Sequence, residues 1–278
     1  YSSGHCSRHA DYTFEEKYGF RDYRGGGRSS ARETIGRVAA GAIAEKFLKQ
    51  LNISVTAYAK SIGPVEVSPE RMDLSEIPNN RFCLPDADSA KEAEHYLDQK
   101  IAECDSVGGV VECVISGLPT GLGEPVFEKL DANLAKAILS IGAVKGFEIG
   151  DGFAATKACG SENNDEFRMD GDKIVKETNH AGGVLGGISD GSDVIFRAAF
   201  KPTPSIAKSQ ETVTKDGENI DLVIHGRHDP VVVPRAVVVV ESMAAITAMD
   251  MLLMSMTSRL DLIQMFFQVE NVDDSPEQ

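Results

Sequence analysis

The chain has 278 residues, 42% of them hydrophobic and 26% charged, with a formal net charge of −15 at pH 7. That length supports one large core or two small ones, and the acidic balance excludes nucleic acid and anionic membrane surfaces as partners of the chain as a whole. The five cysteines (Cys6, Cys83, Cys104, Cys113, Cys159) are odd in number, scattered and without a CxxC pair, which argues against a disulfide framework or a zinc site and for a reducing compartment.

In chain order, Tyr1–Asp11 is polar and does not read as a signal peptide. The chain opens on Tyr rather than Met, so a longer natural chain is expected. Gly25–Gly41, GGGRSSARETIGRVAAG, follows. Three glycines run into Arg28, Ser29 and Ser30, and Ser30 with Glu33 has the spacing of a capping box at a helix start. Between Arg21 and Arg37 there are five Arg against two acids, Asp22 and Glu33. A helix N-terminus behind a Gly-rich loop with Arg24, Arg28 and Arg32 around it suits phosphate or carboxylate; the plain alternative is a Gly-rich turn before an ordinary capped helix. The stretch matches neither a Walker loop nor GxGxxG.

Ser30–Leu51 reads as a helix from Ile35, Val38, Ala39, Ala42, Ile43 and Leu48 at three- and four-residue steps. Ile53–Ala59 alternates as a strand. Ser61–Asp88, with four prolines, reads as connection. Ser89–Cys104 is a second helix, with Ser89 and Glu92 as its expected capping pair; Gly108–Ser116 is a strand, Val126–Ile141 a third helix and Val144–Ile149 a strand. Gly150–Asn179 reads as a long polar loop, of the kind that is usually functional or mobile. Strands are expected at Asp193–Phe200 and Asn219–His225, on either side of the extended KPTPSI at Lys201–Ile206. Val231–Val240 is almost wholly apolar, and a last helix runs over roughly Glu241–Gln268. Glu241, Asp250, Arg259 and Asp261 interrupt that helix, so it is expected in a core or between subunits rather than across a membrane. Its Met249, Met251, Met254 and Met256 read as packing filler. This order predicts an α/β or α+β fold with helices covering sheets, without the steady βαβ rhythm of a Rossmann or barrel fold.

Charged turns at 24–32, 142–152, 179–191, 201–205 and 226–235 are candidates to converge on one pocket for a large, flat anion such as a nucleotide-type cofactor. In GRHDP, Gly226–Pro230, the neighbouring Arg227 would hold the Asp229 carboxylate ionised, as a base requires; a salt-bridged turn is the alternative. His9 and His180 each read as either acid or structural hydrogen bonder. No HExxH, GxSxG or EF-hand pattern is present, and Trp is absent, so no base-stacking stripe accompanies the basic cluster.

Taken in order, six segments resemble chorismate synthase: RHADYTFEEKYGFRDYRGGGRSSARETIGRVAAGAIAEKFL, GLPTGLGEPVFEKLDANLAKAILSIGAVKGFEIGDGF, GSENNDEF, TNHAGGVLGGISDG, FKPTPSIAKSQETV and GRHDPVVVPRAVVVVESMAAI. The resemblance implies a β-α-β sandwich with helices packed between sheets, residues 1–278 forming a single domain, and a homotetramer. It implies the 1,4-elimination of phosphate from 5-enolpyruvylshikimate 3-phosphate to chorismate, with reduced FMN as cofactor and NADPH as a candidate source of its electrons, in the cytoplasm or, for a mature plastid form, the plastid. By resemblance Arg28, Ser29, Ser30, Gly142, Ala143, Gly186, Lys201, Pro202, Thr203, Pro204, Ser205 and Arg227 contact the flavin and Arg32 binds substrate. His9 matches an acid near the flavin, and Asp229 the aspartate that helps remove the C6 proton. No metal is implied. The family's opening GESHG-like motif is absent, and Cys6 stands where an Arg is usual. The expectation is therefore a form lacking the family's N-terminal segment; the alternative function is a catalytically incomplete fragment that keeps FMN or anion binding.

Overall fold

The computed structural model describes residues 11–20, 30–214, 217–224 and 229–268. After a short helix α1 (Asp11–Tyr18) and a 3-10 turn (Ala31–Glu33) comes helix α2 (Thr34–Lys49), followed by strands β1 (Ser54–Ile62) and β2 (Val65–Glu66). Helix α3 (Ala87–Ala102), strand β3 (Gly109–Ser116), helix α4 (Leu130–Leu139) and strand β4 (Val144–Ile149) follow. The middle of the chain holds a 3-10 turn (Gly152–Lys157), the single-turn helix α5 (Gly160–Asn163) and short strands β5 (Phe167–Asp170), β6 (Lys173–Lys176), β7 (Val184–Leu185) and β8 (Ile188–Ser189). Strands β9 (Val194–Phe200), β10 (Ser209–Val213) and β11 (Asn219–Val223) and helices α6 (Val233–Ser255) and α7 (Leu260–Phe266) close the order.

The main sheet has five strands in the order β2-β1-β3-β9-β4, all paired antiparallel. Alternation decides its faces. Val111, Cys113 and Ile115 of β3 and Val194, Phe196 and Ala198 of β9 are fully buried, and Cys113 sits between Ala57 and Phe196 in the register. The opposite face carries a polar row, Tyr58, Glu112, Arg197 and Glu148, across β1, β3, β9 and β4. Lys60 reaches Glu112 at 3.5 Å and Arg197 reaches Glu148 at 3.4 Å along it.

Helix α6 is the centre of the core. It packs on α2, β1, β3 and α4, and Val233, Val240, Ala244, Ala245 and Ala248 are fully buried. Its Glu241 reaches the sheet edge, where a carboxylate oxygen accepts the Ala57 N–H at 2.8 Å. This satisfies a donor of β1 that no neighbouring strand meets. Burial raises the Glu241 carboxyl above its ordinary value, partly offset by that N–H. Pro234 in the first turn is the position a helix tolerates, so the apolar run from Val233 belongs to this helix, which starts two turns before the expected Glu241. The 23-residue α6 is long and apolar enough to cross a membrane by those two measures, yet half of its most apolar window lies inside the protein.

Three local expectations need correction. The Ser30 hydroxyl caps through the Arg32 N–H at 3.3 Å, but Glu33 turns forward to Arg37 at 3.0 Å instead of back, so no capping box forms there. Helix α3 is capped by Asp86, which accepts the Asp88 N–H at 3.0 Å and the Ser89 hydroxyl at 2.7 Å. An aspartate three residues upstream outcompetes the expected Ser89 because its carboxylate accepts several donors at once. And 150–179 is not a structureless loop: it contains the Gly152–Lys157 turn, α5 and the β5–β6 hairpin.

Candidate active site

Of the residues singled out from sequence, Gly142, Ala143, Lys201–Ser205 and Asp229 come together where β4 begins and β9 ends. Gly142 and Ala143 precede β4, and Ala143 takes the left-handed conformation at φ 72°. Its carbonyl accepts the Lys201 N–H at 3.0 Å, which joins the 142–143 turn to Lys201–Ser205. Residues 105–107 tie in the rest. The Ser106 hydroxyl donates to the Thr203 carbonyl at 2.7 Å, and the Val107 N–H to the Pro230 carbonyl at 2.8 Å, with Val107 and Val231 forming a parallel bridge. Asp105 accepts the Lys208 ammonium at 2.6 Å and so pins the exit of the same stretch. These bonds set Asp229 beside Lys201–Ser205 although 24 positions separate Ser205 from it in the chain.

The start of α2 comes to the same end of the sheet. The Arg37 guanidinium, one turn into α2, donates to the Ser140 hydroxyl at 2.6 Å and the Ser140 carbonyl at 3.2 Å. This anchors α2, which follows directly on the 3-10 turn that Ser30 caps, to the residue two places before Gly142. Arg32 is exposed on that 3-10 turn.

The electrostatics suit an anion. Burial, and then the like charge of Lys145, hold the Lys201 ammonium below its ordinary value. An anionic ligand would relieve that repulsion. Asp229 is paired at 2.7 Å with Arg235, on the first turn of α6. The sequence pointed to Arg227 as its cation and missed Arg235, whose spacing of six residues across a turn is no recognisable signal. Lys145 and Ser106 were missed too, for they carry no motif and act only through the fold.

Gly186 stands apart. The Gly187 carbonyl accepts the Leu130 N–H at 2.8 Å, at the N-terminal end of α4, whereas Ser140 and Gly142 follow its C-terminal end. Ten helical residues, about 15 Å, separate the two. His9, Arg28, Ser29, Arg227 and His228 lie outside the described residues, as does the acidic tail from Asn271. Among the described residues, no group of three His, Cys, Asp or Glu side chains is placed to hold a metal ion.

Fold and cluster together define an α+β protein with a cation-bearing cluster at one end of an antiparallel sheet, built from segments far apart in the chain. The family model described as chorismate synthase matches residues 5–253. A chorismate synthase of Lachnoclostridium phytofermentans is 62% identical over 261 residues, covering 94% of this chain and 71% of its own. That of Agathobacter rectalis is 64% identical over 260 residues, covering 94% of this chain and 71% of its own. The structure titled "Crystal Structure of Chorismate Synthase" superposes with a TM-score of 0.76 at 32% identity, covering 93% of this chain and 75% of that one. The chain belongs to the chorismate synthase family, lyases of the shikimate pathway.

Proposed function

We propose that residues 1–278 act as one domain in the 1,4-elimination of phosphate from 5-enolpyruvylshikimate 3-phosphate, giving chorismate, with reduced FMN as cofactor. The observation that carries this reading is the joining of Gly142–Ala143, Lys201–Ser205 and Asp229 through residues 105–107. The donor set fits a flavin phosphate beside an anionic substrate: Lys145 and Lys201 are close enough to repel, Ser30 caps the 3-10 turn ahead of α2, and Arg32 is exposed on that turn.

In this reading Lys201 and the backbone of 202–205 hold the cofactor against the 142–143 turn. Arg32 holds a substrate carboxylate or phosphate by charge-assisted hydrogen bonds. The Asp229 carboxylate, oriented by Arg235, helps to remove the proton from C6. Cations fixed before the reaction stabilise the charge that develops on departing phosphate, without reorganisation. Reduced FMN supplies an electron-rich ring system that steadies an electron-poor substrate, which no side chain does. The acid His9 and the contacts from Arg28, Ser29, Gly186 and Arg227 enter by resemblance.

Assembly as a homotetramer in the cytoplasm belongs to the same proposal. Ile35, Ile43 and Phe47 of α2 and Leu253 and Met254 of α6 expose apolar surface that association would cover, and the related enzymes named above are bacterial. The test is an anaerobic assay of the chain with dithionite-reduced FMN and 5-enolpyruvylshikimate 3-phosphate, following chorismate absorbance. Turnover only with reduced flavin is expected, with Asp229→Asn lowering it by about 100-fold or more. Turnover independent of flavin state, or unaffected by Asp229→Asn, would overturn the assignment.

A further inference from the structure

At the opposite end of β4 from Ala143 a cavity of about 720 Å³ opens between α4 and the Gly152–Lys157 turn. Its size is that of a small-molecule site. Ala132 and Ala135 of α4, Phe147 and Ile149 of β4, Val184 and Phe153 give it an apolar body, and Phe153 is 76% exposed at its rim. Its polar lining is Lys129, Asp131, Glu148, Thr156, Asn163 and His180.

The commitments of these groups decide what it takes. Asp131 is engaged by the Ala132 N–H at 2.8 Å, and Glu148 by Arg197 at 3.4 Å and the Phe153 N–H at 3.2 Å. Each acid thus has a partner within the fold, Glu148 a cation among them, and Lys129 is the one cation of the lining. Asp151 accepts from His180 Nδ1 at 2.7 Å. A carboxylate only accepts, so Nδ1 carries the proton of this bond, and in the neutral form of the ring Nε2 is left as the acceptor. The Oδ1 atom of Asn163 is buried without a hydrogen-bond partner, a state costly enough to call for a donor. The cavity thus offers one cation, two acceptors and an apolar wall.

His180 is held there by a buried charged network. The Lys176 and Asp165 side chains are each 2% exposed and 3.1 Å apart, and Lys176 also binds Asp190 at 2.7 Å and Asn179 at 3.2 Å. Asp165 in turn accepts the N–H groups of His180 at 2.7 Å and Ala181 at 3.0 Å. Gly150 and Gly182 let the two loops touch: a Cβ on Gly150 would lie 2.1 Å from the His180 carbonyl, and one on Gly182 2.4 Å from the Gly150 nitrogen. A ring fixed on both its backbone and its Nδ1 is preorganised for binding.

We propose that this cavity is a second ligand site, for a small ring-sized carboxylate bearing hydroxyl or amino donors, with its carboxylate on Lys129 and its donors on His180 Nε2 and Asn163 Oδ1. It is distinct from the cluster around Ala143, Lys201 and Asp229 and does not depend on the lyase reading. The test uses the whole chain, without flavin or phosphorylated substrate, and two probes, 3,4-dihydroxybenzoate and benzoate, followed by calorimetry and amide NMR. The dihydroxy probe is expected to saturate, to move resonances of 147–156 and 180–181, and to bind at least tenfold more tightly than benzoate. Lys129→Met should weaken both probes about tenfold, while His180→Phe and Asn163→Ala should each reduce the preference for the dihydroxy probe. In the free protein the His180 nitrogen shifts should report the Nδ1–H tautomer. Non-saturating shifts, shifts centred on 142–143 and 201–205, or full affinity in Lys129→Met at an unchanged melting temperature would overturn the proposal.

Discussion

The helix–sheet core and the segment 150–193 are held by different forces. In the core, α6, α2 and the inner sheet face bury Leu48, Val111, Ile115, Leu134, Phe196 and Val240, with the Glu241 carboxylate drawn in at the sheet edge. In 150–193 the strands are two to four residues long, and Phe167, Met169 and Ile174 are largely exposed. What fixes that segment is Lys176 with Asp165 and Asp190, their backbone donors, and the touching glycines. Apolar burial is non-directional and spreads its contribution over many side chains. A buried ion cluster is directional and rests on each member, since removing one strands the others. The first gives a robust platform, and the second a precisely aimed loop.

Truncating the core should have the largest global effect. Phe196 is fully buried and stacked on Phe147 with centroids 5.3 Å apart. Phe196→Ala should cost about 3–5 kcal/mol of unfolding free energy, seen as a large drop in the urea midpoint. Lys176→Met should cost about 3 kcal/mol by leaving the two aspartates facing each other, but locally. Amide exchange should accelerate in 165–193 with little change in α6. Equal acceleration in both regions would show that the two are one cooperative unit and erase the contrast.

Gly41→Ala tests the platform from the other side. A Cβ there would lie 2.3 Å from the Ser242 Cβ and 2.5 Å from its Cα, where α2 crosses α6. The helices must part to admit it, at about 1–3 kcal/mol, and a melting scan should show it. A double variant with Ser242→Gly should recover part of that loss.

Acid should separate the regions without mutation. For Asp165, burial raises the carboxyl, but the N–H donors of Ala181 and His180, the Thr178 hydroxyl and Lys176 outweigh it and hold the group well below the usual carboxylate range. Asp190 is lowered in the same sense: burial opposes it, and Lys176 and the Ser192 N–H prevail. A carboxylate with a depressed folded pKa contributes stability that is present above its unfolded value, about 3.9, and is lost as pH falls toward the folded one. Exchange in 165–193 should therefore rise below about pH 4. An acid response beginning in α2 or α6 would break the contrast, because Glu241, whose carboxyl is raised instead, favours the folded state as pH falls and cannot cause an acid-side loss there.

This contrast also explains what could be read in the chain. Val144–Ile149 and Gly109–Ser116 were legible to within a residue, because alternation and flanking glycines encode a half-buried strand locally. Ser30, Lys201 and Asp229 could be grouped from the sequence as charged turns that are candidates to converge and as ordered motifs; the bonds that join their segments, Arg37 to Ser140 and Ser106 to Thr203, bridge about a hundred residues and leave no periodicity. The 150–179 segment read as a loop because its order comes from Asp165 and Lys176, polar residues whose pairing is visible only in three dimensions. The helical start at Val233 was hidden because a run of valines carries no period of its own.

The smallest expected effect probes the polar row on the outer sheet face, where the two kinds of holding meet. Tyr58 is 1% exposed, and its hydroxyl donates to Glu112, which also faces Lys60 at 3.5 Å. Burial first, and then the Glu112 hydrogen bond, push the phenol well above its ordinary pKa. Tyr58→Phe leaves the ring in place and removes one donor, while Lys60 remains to satisfy the carboxylate. The loss should be about 1 kcal/mol. In Lys60→Met the same change should cost more, because Glu112 then loses its last cross-strand partner on β1. A double-mutant cycle measures the difference. Additive losses would show that this row is held by sheet packing like the core, and a coupling of about 1 kcal/mol or more would place it with the charge-held segment.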